Sequence, residues 1–310
     1  MQYLYSFAWQ KDEFEISRLE MRTFFNFDVE DNVLISEQKI EPSRSPFMRE
    51  RLDIWAQGTT FEQLVDFAKQ IQLGDKSFKI HALNNSKDAI LPKLTRTVRN
   101  DMMKKIGYAI NAEPDLDNPD VLIGLVLYKD VYYLGELVHG EAVWLHHMQK
   151  PEMYSTALST RDARAIVNIA APFPQGLKVI DPCCGIGTVL VEAMSMGIPI
   201  EGRDINKRVV WGSRINLRHF GFEPRVEVGP IEEASEGYDV AIIDMPYNLF
   251  THITEDLQQS IITNARRIAK RVIIVTIEAM DDKITRANLT ITDQAILKKG
   301  TFERQVLICE

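Results

Sequence analysis

Three acidic segments carry the chemistry of this sequence. Asp181-Pro182-Cys183-Cys184-Gly185-Ile186-Gly187-Thr188 sits where an apolar strand turns into a helix, the position at which doubly wound sheets bind nucleotides. Its small residues let the backbone approach a ligand. A carboxylate beside the loop repels a pyrophosphate and attracts a cation such as the ammonium of an amino acid, and Leu190 stands where a dinucleotide GxGxxG loop has its third glycine. S-adenosylmethionine carries such an ammonium and no phosphate. About 20 residues on, the next strand ends in Glu201-Gly202-Arg203-Asp204-Ile205-Asn206, where a carboxylate can accept both hydroxyls of a ribose. Asp204 has a second reading as the N-cap of the following helix. The third segment, Asp244-Met245-Pro246-Tyr247-Asn248, closes a strand with an acid, a proline and an aromatic. Such a set can hold a planar amine: Asp244 and the Met245 carbonyl accept its two hydrogens while Tyr247 stacks on the ring, worth ~1–3 kcal/mol per base. Two acceptors turn the delocalised lone pair of an exocyclic amine toward an aligned electrophile, so direct displacement requires no metal and no covalent intermediate.

These segments need a sheet to position them, and the second half of the chain predicts one. KVIDP, PIEGRDI, RVEVG, YDVAIIDMP and RVIIVTI read as strands, alternating for the most part with helices over TVLVEAMSM, KRVVWGSRINLRHFG and residues 256 to 270. The pattern implies a mostly parallel, Rossmann-like α/β sheet, with LTITDQAILKK and FERQVLICE as an antiparallel C-terminal hairpin. Ser159 and Asp162 fit a helix-start cap ahead of the apolar stripe Ala163, Ile166, Val167 and Ala170. The chain is therefore read as two domains, 1–150 and 151–310. The first half predicts a smaller α/β domain: a strand at YLYSFAW, a helix from about Glu13 to Phe25, a helix after Thr59 with Glu62 completing its capping box, and strands SFKIHAL and VLIGLVLY around a basic helix, Leu94 to Tyr108.

Composition bounds the reading. With 310 residues, 45% hydrophobic and 26% charged, the chain has globular composition and length for about two domains. Val121 to Tyr128 is the longest apolar run, far short of the roughly 20 residues that cross a bilayer, and the N-terminal residues lack a basic flank before an apolar core. Three cysteines make no disulfide framework and no metal signature, which fits a reducing cytoplasm. The formal charge of −8 argues against nonspecific coating of nucleic acid. Within residues 87 to 105, however, Lys87, Lys93, Arg96, Arg99, Lys104 and Lys105 face only Asp88 and Asp101, a patch suited to phosphate. Arg203, Lys207, Arg208, Arg214 and Arg218 read instead as the solvent face of a crossover helix. His139, His146 and His147 read as linker residues, and Cys183 and Cys184 as packing groups of the loop rather than nucleophiles.

The three acidic segments resemble those of class I S-adenosylmethionine-dependent methyltransferases, and DMPY fits the pattern [DNS]-x-P-[YFW] of members that modify amino nitrogens. KPEMYSTALSTRDARAIVNIA, DPCCGIGTVLVEA, DMPYN and GTFERQVLI are similar to the THUMP-containing tRNA guanine-N2 methyltransferases, and PDLDNPDVLIGLVLYKDVYYLGEL (within about 50–137) to the THUMP domain itself. That resemblance implies a tRNA substrate held at its 3′ end by the first half. It further implies that Asp181, Pro182, Cys183, Gly185, Gly187 and Thr188 face the cofactor's methionine moiety, Asp204 and Ile205 its ribose, main-chain groups near Ile231 its adenine, and Asp244 to Tyr247 the base. Three positions depart from the family: Pro230 replaces a frequent acid, Met245 replaces a proline and so loosens the turn, and Asn248 replaces a frequent glycine. The same residues leave open an adenine or protein-glutamine amino methyltransferase, or an RNA-binding protein with a degenerate methyltransferase domain.

Overall fold

The computed structural model describes residues 1–28, 31–83, 94–154, 157–246, 254–299 and 302–310. In chain order the first elements are β1 (Tyr3–Phe7), α1 (Phe14–Phe25), β2 (Val33–Ser36), β3 (Met48–Gly58), α2 (Phe61–Ala68), β4 (Phe78–Ala82), α3 (Arg96–Ala109), β5 (Val121–Tyr128) and β6 (Val131–His139). Then come α4 (Val143–His147), α5 (Thr160–Ala170), β7 (Val179–Asp181), α6 (Thr188–Ser195), β8 (Ile200–Asp204), α7 (Lys207–His219), β9 (Val226–Val228) and β10 (Tyr238–Asp244). α8 (Glu255–Ile268), β11 (Ala269–Thr276), α9 (Asp281–Arg286), β12 (Ile291–Lys299) and β13 (Phe302–Cys309) complete the chain.

The chain forms two compact units that interleave along the sequence: Met1–Ala8, Val29–Ser43 and Phe47–Glu141 make one, and Trp9–Asp28, Arg44–Pro46 and Ala142–Glu310 the other. A division at 150 leaves α1 with the first half; by its contacts α1 groups with the second. The reason is its apolar face. Ile16, Leu19 and Phe24 are buried, and between α1 and α5 Glu20 accepts hydrogen bonds from Ser45 Oγ (2.5 Å) and Asn168 Nδ2 (2.6 Å), with burial pushing its carboxyl up to about 7.

The first unit is a six-stranded mixed sheet in the order β2-β1-β3-β6-β5-β4, in which only β4 and β5 run parallel. α2 starts one residue later than its expected cap, at Thr60, whose amide is bonded by Gln63 rather than by Glu62. β3 was not anticipated. Its alternation is broken by Arg51 and Asp53, both buried, where Arg51 Nε donates to Asp53 Oδ1 (2.5 Å) and Nη1 to the Ile40 carbonyl (2.9 Å).

The second unit is α/β and Rossmann-like, as expected: a seven-stranded sheet in the order β12-β13-β11-β10-β7-β8-β9, parallel from β9 to β11 and ending in the antiparallel hairpin β12-β13. Strand order reverses between β7 and β10, since the chain runs outward from β7 through β8 to β9 and then returns to β7's other side. At such a switch point the crevice lies at the strands' C-terminal ends. Ser159 caps α5 as expected, its Oγ accepting from the Asp162 amide at 3.1 Å, a contact worth ~1 kcal/mol.

Candidate active site

Asp181, Asp204 and Asp244 are each the last residue of a strand, β7, β8 and β10, which lie side by side. Above their ends opens a cleft of about 430 Å³, within the ~300–1,000 Å³ usual for small-molecule sites. Of the residues singled out in the sequence, Asp181, Pro182, Cys183, Gly185 and Thr188 line it from the loop after β7, Asp204 and Ile205 from β8, Ile231 from the turn after β9, and Asp244, Met245 and Pro246 from β10. Gly187 does not line the cleft. It is the N-cap of α6 at φ +79°, and a Cβ there would meet Ser213 Oγ at 2.3 Å, so the loop can turn only on glycine. Leu190, at the dinucleotide motif's third glycine, packs against Gly202, where an added Cβ would meet Leu190 Cδ1 at 2.5 Å. Close approach of helix and strand is thus supplied from the strand side.

Asp204 holds the loop rather than capping α7. Its Oδ2 accepts the Gly185 amide (2.9 Å) and its Oδ1 the Asn206 amide (2.8 Å), while Asn206 is the N-cap. Asp181 is buried and accepts the Cys183 amide at 3.1 Å. Met245 does not loosen its turn: its N–H, which a proline would lack, donates to the Val275 carbonyl at 2.8 Å. Asp244 Oδ1 is buried with no hydrogen-bond partner among the described residues. A buried acceptor left open beside a cleft calls for a donor.

Burial sets the charge state of this site. It pushes Asp244 up to about 7, opposed by the charge of Arg304. Asp181 is driven well above the usual carboxylate range by burial, against the Cys183 amide and with the repulsion of Asp244 and Asp204. Asp204 is raised by burial against its two amide bonds. Glu232 adds a fourth carboxylate to the wall, and no Lys or Arg joins it among the described residues. A ligand that brings positive charge favours ionisation of the three buried carboxyls, whereas a phosphate adds like charge beside them. The same burial and the same carboxylates push the Cys183 and Cys184 thiols far above their ordinary value, so neither is a thiolate nucleophile.

Tyr154, Leu158, Glu232, Leu257 and Ile261 also line the cleft and were not singled out in the sequence. Nothing in their spacing marks them; only the fold brings them to the loop. Asn216 was missed for the same reason. Fully buried in α7, it accepts the Glu152 amide on Oδ1 (2.8 Å) and donates from Nδ2 to the carbonyls of Glu152 (3.0 Å) and Ile186 (3.0 Å), joining the segment that leads to Tyr154 with the glycine loop. His147 is not a linker residue: it is buried and bonds Glu192 of α6 at 2.8 Å, which also takes Arg164 Nη1 at 2.9 Å.

In the first unit α3 exposes Arg96, Lys104 and Lys105. Lys105 pairs with Asp101 at 3.0 Å, and Arg99 is half-buried with its Nε lacking a partner among the described residues. Tyr247, Asn248, Lys87 and Lys93 lie outside the described residues. Among the described residues no group of three His, Cys, Asp or Glu is placed to hold a metal ion, and no helix is long and apolar enough to cross a membrane.

Residues 148–291 match a family model described as UPF0020: RMKL-like, methyltransferase domain. The chain is 29% identical over 194 residues to a tRNA (guanine(10)-N2)-dimethyltransferase of Methanothermobacter thermautotrophicus, covering 60% of this chain and 55% of that protein. It is 29% identical over 175 residues to the human U6 snRNA (guanine-N(2))-methyltransferase THUMPD2, covering 54% of this chain and 33% of that protein. The chain thus spans about half or less of the length of these curated relatives. Among solved structures, the crystal structure of TrmN from Thermus thermophilus aligns over 100% of this chain and 99% of its own at 16% identity and a TM-score of 0.48.

Proposed function

We propose that this protein transfers a methyl group from S-adenosylmethionine to the exocyclic N2 amine of a guanosine in tRNA. One observation carries the reading: three carboxylates close neighbouring strands around one cleft, and among the described residues no Lys or Arg lines it and the buried Asp244 Oδ1 beside it has no partner. The donor set fits this cofactor, whose ammonium and sulfonium are cations and whose ribose offers hydroxyls. When bound, it supplies the electrophilic methyl.

The chain's residues do the rest. Asp181 and the loop from Cys183 to Gly187 receive the methionine moiety, Asp204 the ribose hydroxyls, and main-chain groups at Ile231 the adenine, with Glu232 beside them. Asp244 Oδ1 and the Met245 carbonyl accept the two amine hydrogens of the guanine, which orients its lone pair, and Tyr247 stacks on the base. Leu158 and Ile261 give the cleft an apolar wall. Asp244 holds the proton that the product amine releases. The names of the relatives, all guanine-N2 methyltransferases, support the amine chosen, and the larger shared span with the archaeal protein supports tRNA. A THUMP-like role for the first unit puts Arg96, Arg99, Lys104 and Lys105, with Lys87 and Lys93, on tRNA phosphates. Three free thiols suit a reducing cytoplasm.

The test is incubation with isotopically labelled S-adenosylmethionine and unmodified tRNA or U6 snRNA transcripts, then nucleoside mass spectrometry. Label in N2-methylguanosine of tRNA is expected. Asp244→Ala should abolish it while sparing cofactor binding; retained turnover would overturn the mechanism.

A further inference from the structure

The solvent face of α7 carries an arrangement that the cleft chemistry leaves unused. Lys207, Trp211, Arg214 and Arg218 stand at i, i+4, i+7 and i+11, one stripe along the helix, opposite the buried Ser213, Asn216 and Leu217. Trp211 is 61% exposed, with no ring or cation partner among the described residues. The helix has no Asp or Glu, and from Lys207 to Arg225 five Lys and Arg face the single carboxylate of Glu223, in a chain of net charge −8. Arg214 is pinned, its Nε (3.2 Å) and Nη2 (2.5 Å) donating to the Val226 carbonyl, so one positive charge of the stripe is held in place. A flat apolar ring on a helix whose charges are all positive suits a ligand that offers a π face and a phosphate together.

Position adds to this. Asn206, the N-cap of α7, lines the cleft, and Trp211 follows five residues later. That is about 7.5 Å along the axis, the rise of about two stacked nucleotides at roughly 3.4 Å each. We propose that this face of α7 is an RNA-binding surface. Trp211 stacks on a nucleotide near the target guanosine, while Lys207, Arg208 and Arg218 contact the phosphates on either side. This rests on the RNA-substrate reading above, extends it to residues outside the cleft, and replaces the plain solvent role that their charge alone suggests.

The full chain is tested by titrating labelled, unmodified tRNA transcripts with wild type, Trp211→Ala, Trp211→Phe and the double variant Lys207→Gln/Arg218→Gln across a salt series, with calorimetry of S-adenosylmethionine as the check on the fold. Trp211→Ala should weaken tRNA binding by about 5- to 150-fold, the loss of one base stack, and Trp211→Phe should recover most of it. The double variant should reduce the slope of log affinity against log salt by about 1.5. Cofactor affinity should stay at the wild-type value in all three. Wild-type tRNA affinity in Trp211→Ala overturns this proposal and leaves the RNA reading standing. Absence of RNA binding by the wild type overturns both. A change of oligomeric state in Trp211→Ala, read by sedimentation, would reassign the face to a second copy of the chain.

Discussion

Asp244→Asn should stabilise the protein while destroying its activity. The folded carboxyl, pushed up to about 7 against an ordinary 3.8, binds its proton more tightly than it does in the unfolded chain. Between those two values the folded state therefore holds more protons than the unfolded state, so stability falls as pH rises from about 4 and levels off above about 7. The roughly 3-unit difference corresponds to about 4 kcal/mol at pH 8 and about 2 kcal/mol at pH 5. Asparagine keeps the shape and removes the charge, so it should regain that amount. Urea unfolding of the two proteins at pH 5 and pH 8, without cofactor, reads the difference directly. An advantage of asparagine that grows with pH supports a carboxylate held at a folding cost for its ligand. A pH-independent difference, or destabilisation at pH 8, would refute the reasoning and assign Asp244 an ordinary structural place.

Other perturbations follow from the same geometry. Binding a cation requires Asp181 and Asp204, both raised by burial, to ionise, so S-adenosylmethionine affinity should increase with pH through their titration, and calorimetry in buffers of different ionisation enthalpy should show proton release; a buffer-independent heat would contradict it. Asn216→Ala removes three hydrogen bonds from buried groups, at about 1–3 kcal/mol for each group left unsatisfied. Its KM for the cofactor should rise more than its kcat falls, in steady-state kinetics. Gly187→Ala meets both the Ser213 clash and a φ of +79°; with Ser213→Gly the clash goes but the backbone strain of about 1–2 kcal/mol remains, as thermal unfolding of the single and double variants should show. Arg96→Gln with Arg99→Gln should flatten the salt dependence of tRNA affinity; an unchanged slope would make α3's cations plain surface.

Much of the second unit was legible because its strands are short apolar runs, three of which end in an acid. In a sheet buried on both faces, continuous hydrophobicity and a terminal carboxylate are strong local signals. The site's acids could therefore be named from spacing, and the cleft's charge follows from them. What spacing could not give was how those acids are engaged: Asp204 ties down the Gly185 amide, and the N-cap expected of it belongs to Asn206. Asn216 and Glu232 were hidden because their roles depend on which loop the sheet brings opposite them. In the first unit β3 escaped because a buried ion pair, Arg51 with Asp53, looks in sequence like two exposed residues. Helix α1 was visible as a helix, yet amphipathicity states that a face must be covered and is silent on which sheet or helix covers it.

That interleaved helix has a bearing on the order of events during synthesis. Strands β1 and β2 flank α1 in sequence and pair with each other, so when they zip together α1 is extruded as a side loop. Its partner α5 lies about 135 residues further on, roughly 7 to 27 s of translation at about 5–20 residues per second. Through that interval the face of α1 that α5 covers waits for its partner. A cut between residues 141 and 142 would not release the second unit intact; it would leave α5 bare on the side where Glu20 and α1 belong, so dissection must preserve residues 9–28 and 44–46.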